Sequence, residues 1–336
     1  MHREDLKNLK IWFSDYVSGF YTDNPEDSCP IRIKEKHTKR VCENIIMLGK
    51  ALGLSNREMI LAETMGLFHD IGRFKQYAIY GTFNDMESEN HAELGLKEMA
   101  THNVLAVCTR EEERFITKAI SYHNAASIPE DEDEKTLFYI RLLRDADKLD
   151  IWKVLTDYYK ARDKQPNPVL EIGLPDDPEC SPQILAAIRW GRLARIQDVR
   201  TLNDFKLLQI SWVYDLNFVP SFRTVKTCEY IEQIEAALPN SKEITEAVLF
   251  AHDYVNRHLK PDCKAFAQKM NKLMCEKHFN KPVMLPCRGV GIKEMKYERT
   301  AWVGYNYRDL VCVAGLYPTK IRNFHLTERF LSGDKQ

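Results

Sequence analysis

The chain has 336 residues, a formal net charge of −1 at pH 7, 44% hydrophobic residues and 29% charged residues, a composition typical of a soluble globular protein. It has no run of about 18 uncharged apolar residues, which excludes a transmembrane helix, and its charged N-terminus is unlike a secretory signal. Its nine scattered cysteines, without a CxxC pair, favour reduced thiols and a cytoplasmic location over a disulfide framework or a zinc ribbon.

The first helix that the periodicity indicates carries a histidine. Apolar residues follow His37 at intervals of three or four, the spacing that places side chains on one buried face of a helix. These residues are Val41, Ile45, Leu48 and Leu52. We therefore expect His37 to lie beside the apolar face of this helix.

A second helix is predicted to begin at Ser55–Glu58, where serine and glutamate have the spacing of a capping box. Its apolar run continues into Leu67–Arg73, and we expect it to stop at Gly72, because glycine commonly terminates helices. The run ends with His69 and Asp70 side by side. An imidazole and a carboxylate emerging from an apolar run are costly to bury without a charge partner.

Three further helices are predicted, and each carries residues that could bind a metal. Ser88 is the expected cap of the helix that contains His91. His123 shares an apolar face with the Phe115–Ile120 segment. The Leu137–Leu155 segment is apolar almost all round, which predicts a central, buried helix.

The remaining chain divides near residue 260. Polar loops are predicted at Tyr80–Glu87, at the acidic run of residues 130–134 and in the proline-rich Pro166–Pro182 segment. Helical patterns resume at Pro182–Ile196, Asn203–Leu216 and Ser241–His258.

Residues 261–336 carry 14 Lys/Arg against seven Asp/Glu, whereas the rest carries 34 against 42. We predict a domain at residues 1–260 and a basic C-terminal segment of unknown role at 261–336. Within that segment, Pro286–Gly291 and Val303–Val313 favour short strands.

The histidines and aspartates together form the ligand set of a metal site. The set is His37, His69, Asp70, His91, His123 and either Asp147 or Asp145. Imidazole and carboxylate groups suit Mn, Fe, Zn or Mg, and several helices can direct them into one cavity. Asp145 and Asp147 lie about 200° apart around a helix, so only one can point into that cavity. His69 and Asp70 lie about 100° apart, so they meet one ion at a helix end or Asp70 bridges two ions.

The order of these residues resembles the HD superfamily of metal-dependent phosphohydrolases. The matching residues are His37, the His69-Asp70 pair within HDIGR, and Asp147 within Ala146–Leu149. The resemblance covers a core of roughly residues 30–160, with residues 161–260 as helical elaboration. It implies an all-α HD-domain helical bundle with additional C-terminal helices and a small C-terminal segment that can contain β-structure. It also favours Asp147 over Asp145 as the last ligand.

His91 and His123 extend the resemblance to members with two ions. Members that resemble cyclic-di-nucleotide phosphodiesterases, and the di-iron oxygenases of the same fold, add two histidines before the last aspartate. His91–Gly95 is similar to the first of these motifs, but the Gly-Tyr-Pro signature of the cyclic-di-GMP enzymes is absent after His123. We therefore expect one or two divalent ions (Mn, Fe, Mg, Ni or Zn), with Asp70 as the bridging ligand.

The implied activity is hydrolysis of a phosphoester by metal-activated water. Asp70, Arg73 and Lys148 are the catalytic candidates, the two cations lying near the phosphate, although Arg73 could equally cap its helix. The expected substrate is a nucleotide or another small phosphorylated metabolite, and no membrane partner is expected.

Two alternatives of other classes remain open: a di-iron oxygenase using the same six ligands, and a degenerate, nucleotide-binding regulatory module. A second pair, His252-Asp253, lies in mid-helix without a glycine turn, and we do not expect it to bind a metal. The Tyr297–Arg308 segment mixes basic and aromatic residues, which could contact nucleic acid. We favour a small appended sheet there instead, and the sequence does not indicate the oligomeric state.

Overall fold

The structure is a computed structural model that describes residues 1–24, 28–129, 131–164, 166–167 and 170–260. Within these ranges it contains α-helices and short 3₁₀ turns and no strand, which confirms the predicted all-α class. The helices are α1 (Arg3–Ser18), α2 (Cys29–Leu52), α3 (Asn56–Phe68), α4 (Ile71–Tyr80), α5 (His91–Thr101), α6 (Arg110–Tyr122), α7 (Glu134–Ala161), α8 (Pro182–Arg189), α9 (Leu202–Ser211), α10 (Val219–Thr227), α11 (Tyr230–Glu235) and α12 (Lys242–Leu259).

The predicted basic segment at 261–336 lies outside the described residues, together with the strands expected at Pro286–Gly291 and Val303–Val313 and the basic, aromatic stretch Tyr297–Arg308. Among the residues that the structure describes, no helix is both long enough and apolar enough to cross a bilayer.

Helix α7 is the centre of the bundle, as its apolar sequence predicts. Helices α2, α3 and α6, which precede α7 in the chain, pack against it, and α10 and α11, which follow it, also contact it. Its side chains Tyr139, Leu143 and Trp152 are almost completely buried. Because α7 contacts both the helices before it and the helices after it, it fixes the relative positions of the segments that carry the histidines.

The junction between α3 and α4 differs from the sequence prediction. The capping box at Ser55 begins α3 as expected, but α3 ends at Phe68 and Gly72 lies inside α4. Gly72 is instead a point of close approach, because a Cβ there would lie closest to the backbone oxygen of His91 and would meet the backbone nitrogen of Gly95 at 2.5 Å, both in α5. The glycine therefore lets α4 and α5 touch, and it does not terminate a helix.

Three other details differ from the predictions. Asn90, not Ser88, caps α5, because the Asn90 side chain accepts hydrogen bonds from the first turn, whereas the Ser88 hydroxyl donates to the loop carbonyl of Asn84. Helix α8 ends at Arg189, where Gly191 has a left-handed φ of 67°. Helices α1, α4, α10 and α11 have no counterpart among the predicted helices.

Candidate metal centre

All six residues of the expected ligand set, with Asp147 as the last, converge on one place in the bundle. His37 lies in α2, His69 is the C-cap of α3, Asp70 is the N-cap of α4, His91 begins α5, His123 is the C-cap of α6 and Asp147 lies in α7. Four of the six therefore lie at helix ends. Because the chain turns at those ends, the neighbouring residues His69 and Asp70 both point to the same centre.

The four histidines form two pairs. The Nε2 atoms of His37 and His69 are 3.1 Å apart, and those of His91 and His123 are 3.0 Å apart. Two nitrogen ligands at about 2.1 Å from one ion, at a right angle to each other, lie about 3.0 Å apart. Each pair therefore has the nitrogen separation that a single metal ion would impose.

Asp70 lies between the two pairs, and each of its oxygens contacts a different pair. Oδ2 is 3.4 Å from His37 Nε2 and 3.7 Å from His69 Nε2. Oδ1 is 3.4 Å from His91 Nε2 and 3.8 Å from His123 Nε2. The carboxylate thus belongs to two three-residue groups that could each hold an ion.

The two candidate aspartates of α7 have different surroundings. Asp147 Oδ1 lies 3.2 Å from His37 Nε2 and 3.7 Å from His69 Nε2, beside the first histidine pair. The Asp145 carboxylate instead accepts hydrogen bonds from the backbone and side-chain nitrogens of Asn217 and from the backbone of Phe218. Burial raises the pKa of Asp145 to about 6. Asp145 therefore ties α7 to the loop before α10.

The other ring nitrogen of each histidine, Nδ1, is occupied by an acceptor. His37 Nδ1 contacts the Asp150 carboxylate at 2.7 Å, and His91 Nδ1 contacts the Asp85 carboxylate at 2.7 Å. At the C-caps, His69 and His123 donate to backbone carbonyls three residues earlier, at 2.8 Å and 2.6 Å.

Because carbonyls and carboxylates only accept, each Nδ1 carries a proton, which leaves Nε2 as the ring atom that can bind a metal ion at the centre. Two unprotonated Nε2 atoms about 3 Å apart repel each other, and either a proton or a metal ion between them removes that repulsion. The donor set therefore fits two divalent ions.

The charges of the cluster also favour cations. Although burial opposes its charge, contacts with Asp147, Asp150 and Asp70 raise the pKa of His37 to about 10. Burial lowers the pKa of His69 to about 4. Burial also opposes charge on Asp70, but Lys34 and the neighbouring histidines hold its pKa well below the usual value. Asp70 thus keeps its negative charge, which favours a cation at the centre.

Three basic side chains approach this region in different ways. Lys34 Nζ pairs with Asp70 Oδ2 at 2.7 Å. Arg73 Nε lies 3.6 Å from Asp70 Oδ1 and is buried with no hydrogen-bond partner among the described residues, while its Nη1 pairs with Asp85 at 2.7 Å. Lys148 pairs with Asp215 at 2.5 Å. Lys34 and Arg73 are therefore the cations that contact the carboxylates of the centre.

Sequence reasoning missed Lys34, Asp150 and Asp85. Lys34 precedes His37 by three residues and Asp150 follows Asp147 by three, so helical spacing could have placed both beside known ligands. Asp85 lies in the loop between α4 and α5, where no periodicity applies. The second dipeptide, His252-Asp253, lies within α12, where its histidine approaches Glu232 at 3.7 Å.

The comparisons with known proteins agree with this geometry. The family model described as HD domain matches residues 35–152, a range that includes all six residues of the centre. No curated protein and no solved structure matches the chain. Residues 35–152 thus match an HD domain, and the two histidine groups around a shared aspartate are consistent with a member of the HD superfamily.

Proposed function

We propose that this protein is a metal-dependent phosphohydrolase that uses two divalent ions. The observation that supports it best is the position of Asp70, whose two oxygens contact two different histidine pairs. A carboxylate that bridges two ions, with separate nitrogen ligands for each, is a common arrangement for phosphoester hydrolysis. The match to an HD domain over residues 35–152 supports the proposal, because it suggests a superfamily of metal-dependent hydrolases.

The first ion would be held by His37, His69, Asp147 and Asp70 Oδ2, and the second by His91, His123 and Asp70 Oδ1. When bound, the two ions would activate water and neutralise the charge of the phosphoryl group. Asp147 keeps 14% of its side chain exposed, against 6% or less for the four histidines, so a substrate would approach the centre from the Asp147 side.

The protein's own residues would orient the ligands and bind the phosphate. Asp150 and Asp85 hold the Nδ1 protons of His37 and His91, which keeps each Nε2 free to bind an ion. Arg73 Nε is an available donor beside Asp70 and would bind a phosphate oxygen. Lys34 would supply a second positive charge at the same carboxylate.

A nucleotide or another small phosphorylated metabolite would be the substrate. The cations Lys34 and Arg73 at a metal centre favour a phosphate monoester or diester over a neutral substrate, because they would neutralise its negative charge. Lys148 has no assigned chemical step in this mechanism, since Asp215 holds its ammonium group.

Elemental analysis and a substrate panel test this function. The full chain, purified and loaded with Mn, Mg, Fe, Ni or Zn, should bind two equivalents of metal and hydrolyse at least one nucleotide or sugar phosphate. His91→Ala should retain one ion and lose at least 100-fold in kcat/KM. His252→Ala is the matched control, since it removes the histidine of the other His-Asp pair and should retain both ions.

Two results would contradict the phosphohydrolase. If the chain binds no divalent metal under saturating conditions, the remaining interpretation is a regulatory module with an inactive site. A chain that binds two irons, consumes oxygen and hydrolyses no phosphoester would be a di-iron oxygenase, which the same six ligands could also support.

A further inference from the structure

A cavity of about 230 Å³ lies between the loop that follows α4 and the loop that precedes α8. It is smaller than a typical site for a drug-sized ligand, so it suits one ring-sized group. The residues that line it are Tyr77, Gly81, Thr82, Phe83, Asn84, Glu87, Ile172 and Gly173.

The lining residues suit a flat, uncharged ring. The rings of Tyr77 and Phe83 are 5.0 Å apart and provide aromatic surface on which a planar group can stack. Asn84 adds an amide that can bind polar ring edges. Among the described residues, the one charged side chain that lines the cavity is Glu87, an acid. An anionic group such as phosphate is therefore disfavoured inside the cavity, whereas a neutral ring with donor groups is favoured.

Two side chains connect the cavity to the metal centre. The Lys34 ammonium lies 5.5 Å from the centroid of the Phe83 ring and 2.7 Å from Asp70 Oδ2. On the other side, Arg73 Nη1 donates to the Phe83 carbonyl at 2.5 Å, while its Nε lies beside Asp70. A molecule with its phosphate at the centre and its ring in the cavity would thus have both cations beside the phosphate.

The outer wall of the cavity is fixed by an unusual backbone. Ile172 has a φ of 47° and Gly173 a φ of 70°. A β-branched residue rarely adopts the left-handed region, so the surrounding contacts must hold it there. The preceding residue, Glu171, accepts a hydrogen bond from Arg162 Nε at 2.5 Å. The side chain of Ile172 is exposed and lines the cavity together with the aromatic pair.

We propose that this cavity is the specificity site of the enzyme and binds the flat ring of a phosphorylated substrate, as a nucleoside 5′-monophosphate would present it. This inference rests on the phosphohydrolase function proposed above, and it adds the chemical class of the substrate's neutral part. Phe83 and Tyr77 stack on the ring, Glu87 and Asn84 bind its polar edge, and Lys34 and Arg73 hold the phosphate over the ions.

Saturation-transfer NMR tests ring binding without any need for turnover. Each of the five common nucleoside 5′-monophosphates is added in millimolar excess to the full chain in the presence of a chelator. We expect the base protons of at least one of them to receive saturation from the protein. Phe83→Ala should reduce that transfer at least fivefold, since stacking on one aromatic side chain accounts for a large part of base binding.

Two further variants, one a control and one a second test of the cavity, accompany this measurement. Tyr80→Ala removes a neighbouring exposed aromatic that does not line the cavity, and it should leave the transfer unchanged. Ile172→Glu changes an exposed rim residue, so the fold should be retained while the added negative charge reduces the transfer.

Kinetics complete the test. With metal bound, Phe83→Ala should lower kcat/KM about tenfold or more for the preferred nucleotide and less than twofold for glycerol 3-phosphate, which has no ring. The cavity assignment is overturned if no base protons are saturated, or if Phe83→Ala affects both substrates equally, even when hydrolysis is observed. Saturated base protons in a chain that binds no metal would instead overturn the hydrolase and leave a ring-binding site.

Discussion

The substitution Asp85→Asn isolates the second of the two proposed ions. The Asp85 carboxylate accepts from His91 Nδ1 at 2.7 Å, from Arg73 Nη1 at 2.7 Å and from Gln76 Nε2 at 2.9 Å. Asparagine offers a single oxygen, so its amide nitrogen must point either at His91 or at the Arg73 and Gln76 donors. In the first case the His91 proton moves to Nε2 and blocks the ligand atom.

The expected loss follows from these contacts. A hydrogen bond to a charged group contributes about 1.5–3 kcal/mol, and removal of a group that orients a metal ligand typically weakens metal affinity by about 10- to 100-fold. Tenfold in affinity corresponds to about 1.4 kcal/mol, so the two figures agree. We therefore expect one ion to bind about 10- to 100-fold more weakly and the other to bind with unchanged affinity.

Competition titration with a chromophoric chelator, together with elemental analysis, measures both affinities. Glu89→Gln is the matched control, because Glu89 lies in the same loop and, within the described part of the chain, its carboxylate accepts hydrogen bonds from Tyr80 and Lys97 and from no residue of the centre. Thermal unfolding in the presence of chelator checks that the variants keep the fold. If Asp85→Asn binds both ions as tightly as the original chain, or weakens both equally, the assignment of His91 and Asp85 to a separate second ion is wrong.

Three further predictions concern the rest of the centre. Asp150→Asn should weaken binding of the first ion by a similar factor, because Asp150 holds His37 Nδ1. Chelator titration should then show a lower affinity for the first ion and an unchanged affinity for the second. Asp145→Asn should lower the free energy of unfolding by about 1–3 kcal/mol in denaturant titration, since the Asn217 and Phe218 donors lose acceptors, yet elemental analysis should still find two ions; loss of an ion would make Asp145 a ligand. Gly72→Ala should lower the free energy of unfolding by about 1–3 kcal/mol by overpacking α4 against α5, and it should weaken binding of the second ion. Gly53→Ala is its control: a Cβ there meets nothing within 4 Å, so this variant changes backbone strain alone and should leave metal binding unaltered.

The sequence by itself determined the residue types of the site and the class of the fold. His37, the His69-Asp70 pair and Asp147 follow the order of the HD superfamily, and the apolar spacing of α2 and the all-round apolar α7 are properties of short stretches of chain. Such patterns are local, so they can be recognised before the chain is folded. The expected helix end at Gly72 was wrong because the reason for this glycine is not local: the backbone of His91 and Gly95, in another helix, occupies the space that a Cβ would need.

Only the tertiary structure decided how these residues are combined. The pairing of His37 with His69 and of His91 with His123, the approach of one Asp70 oxygen to each pair, and the contacts of Asp85 and Lys34 join segments far apart in the chain. These distances depend on how α2, α4, α5, α6 and α7 pack, and a shift of one helix by a single residue would separate the ligands. The sequence supplies the candidate metal ligands, and helix packing brings them together as two groups that could each hold an ion.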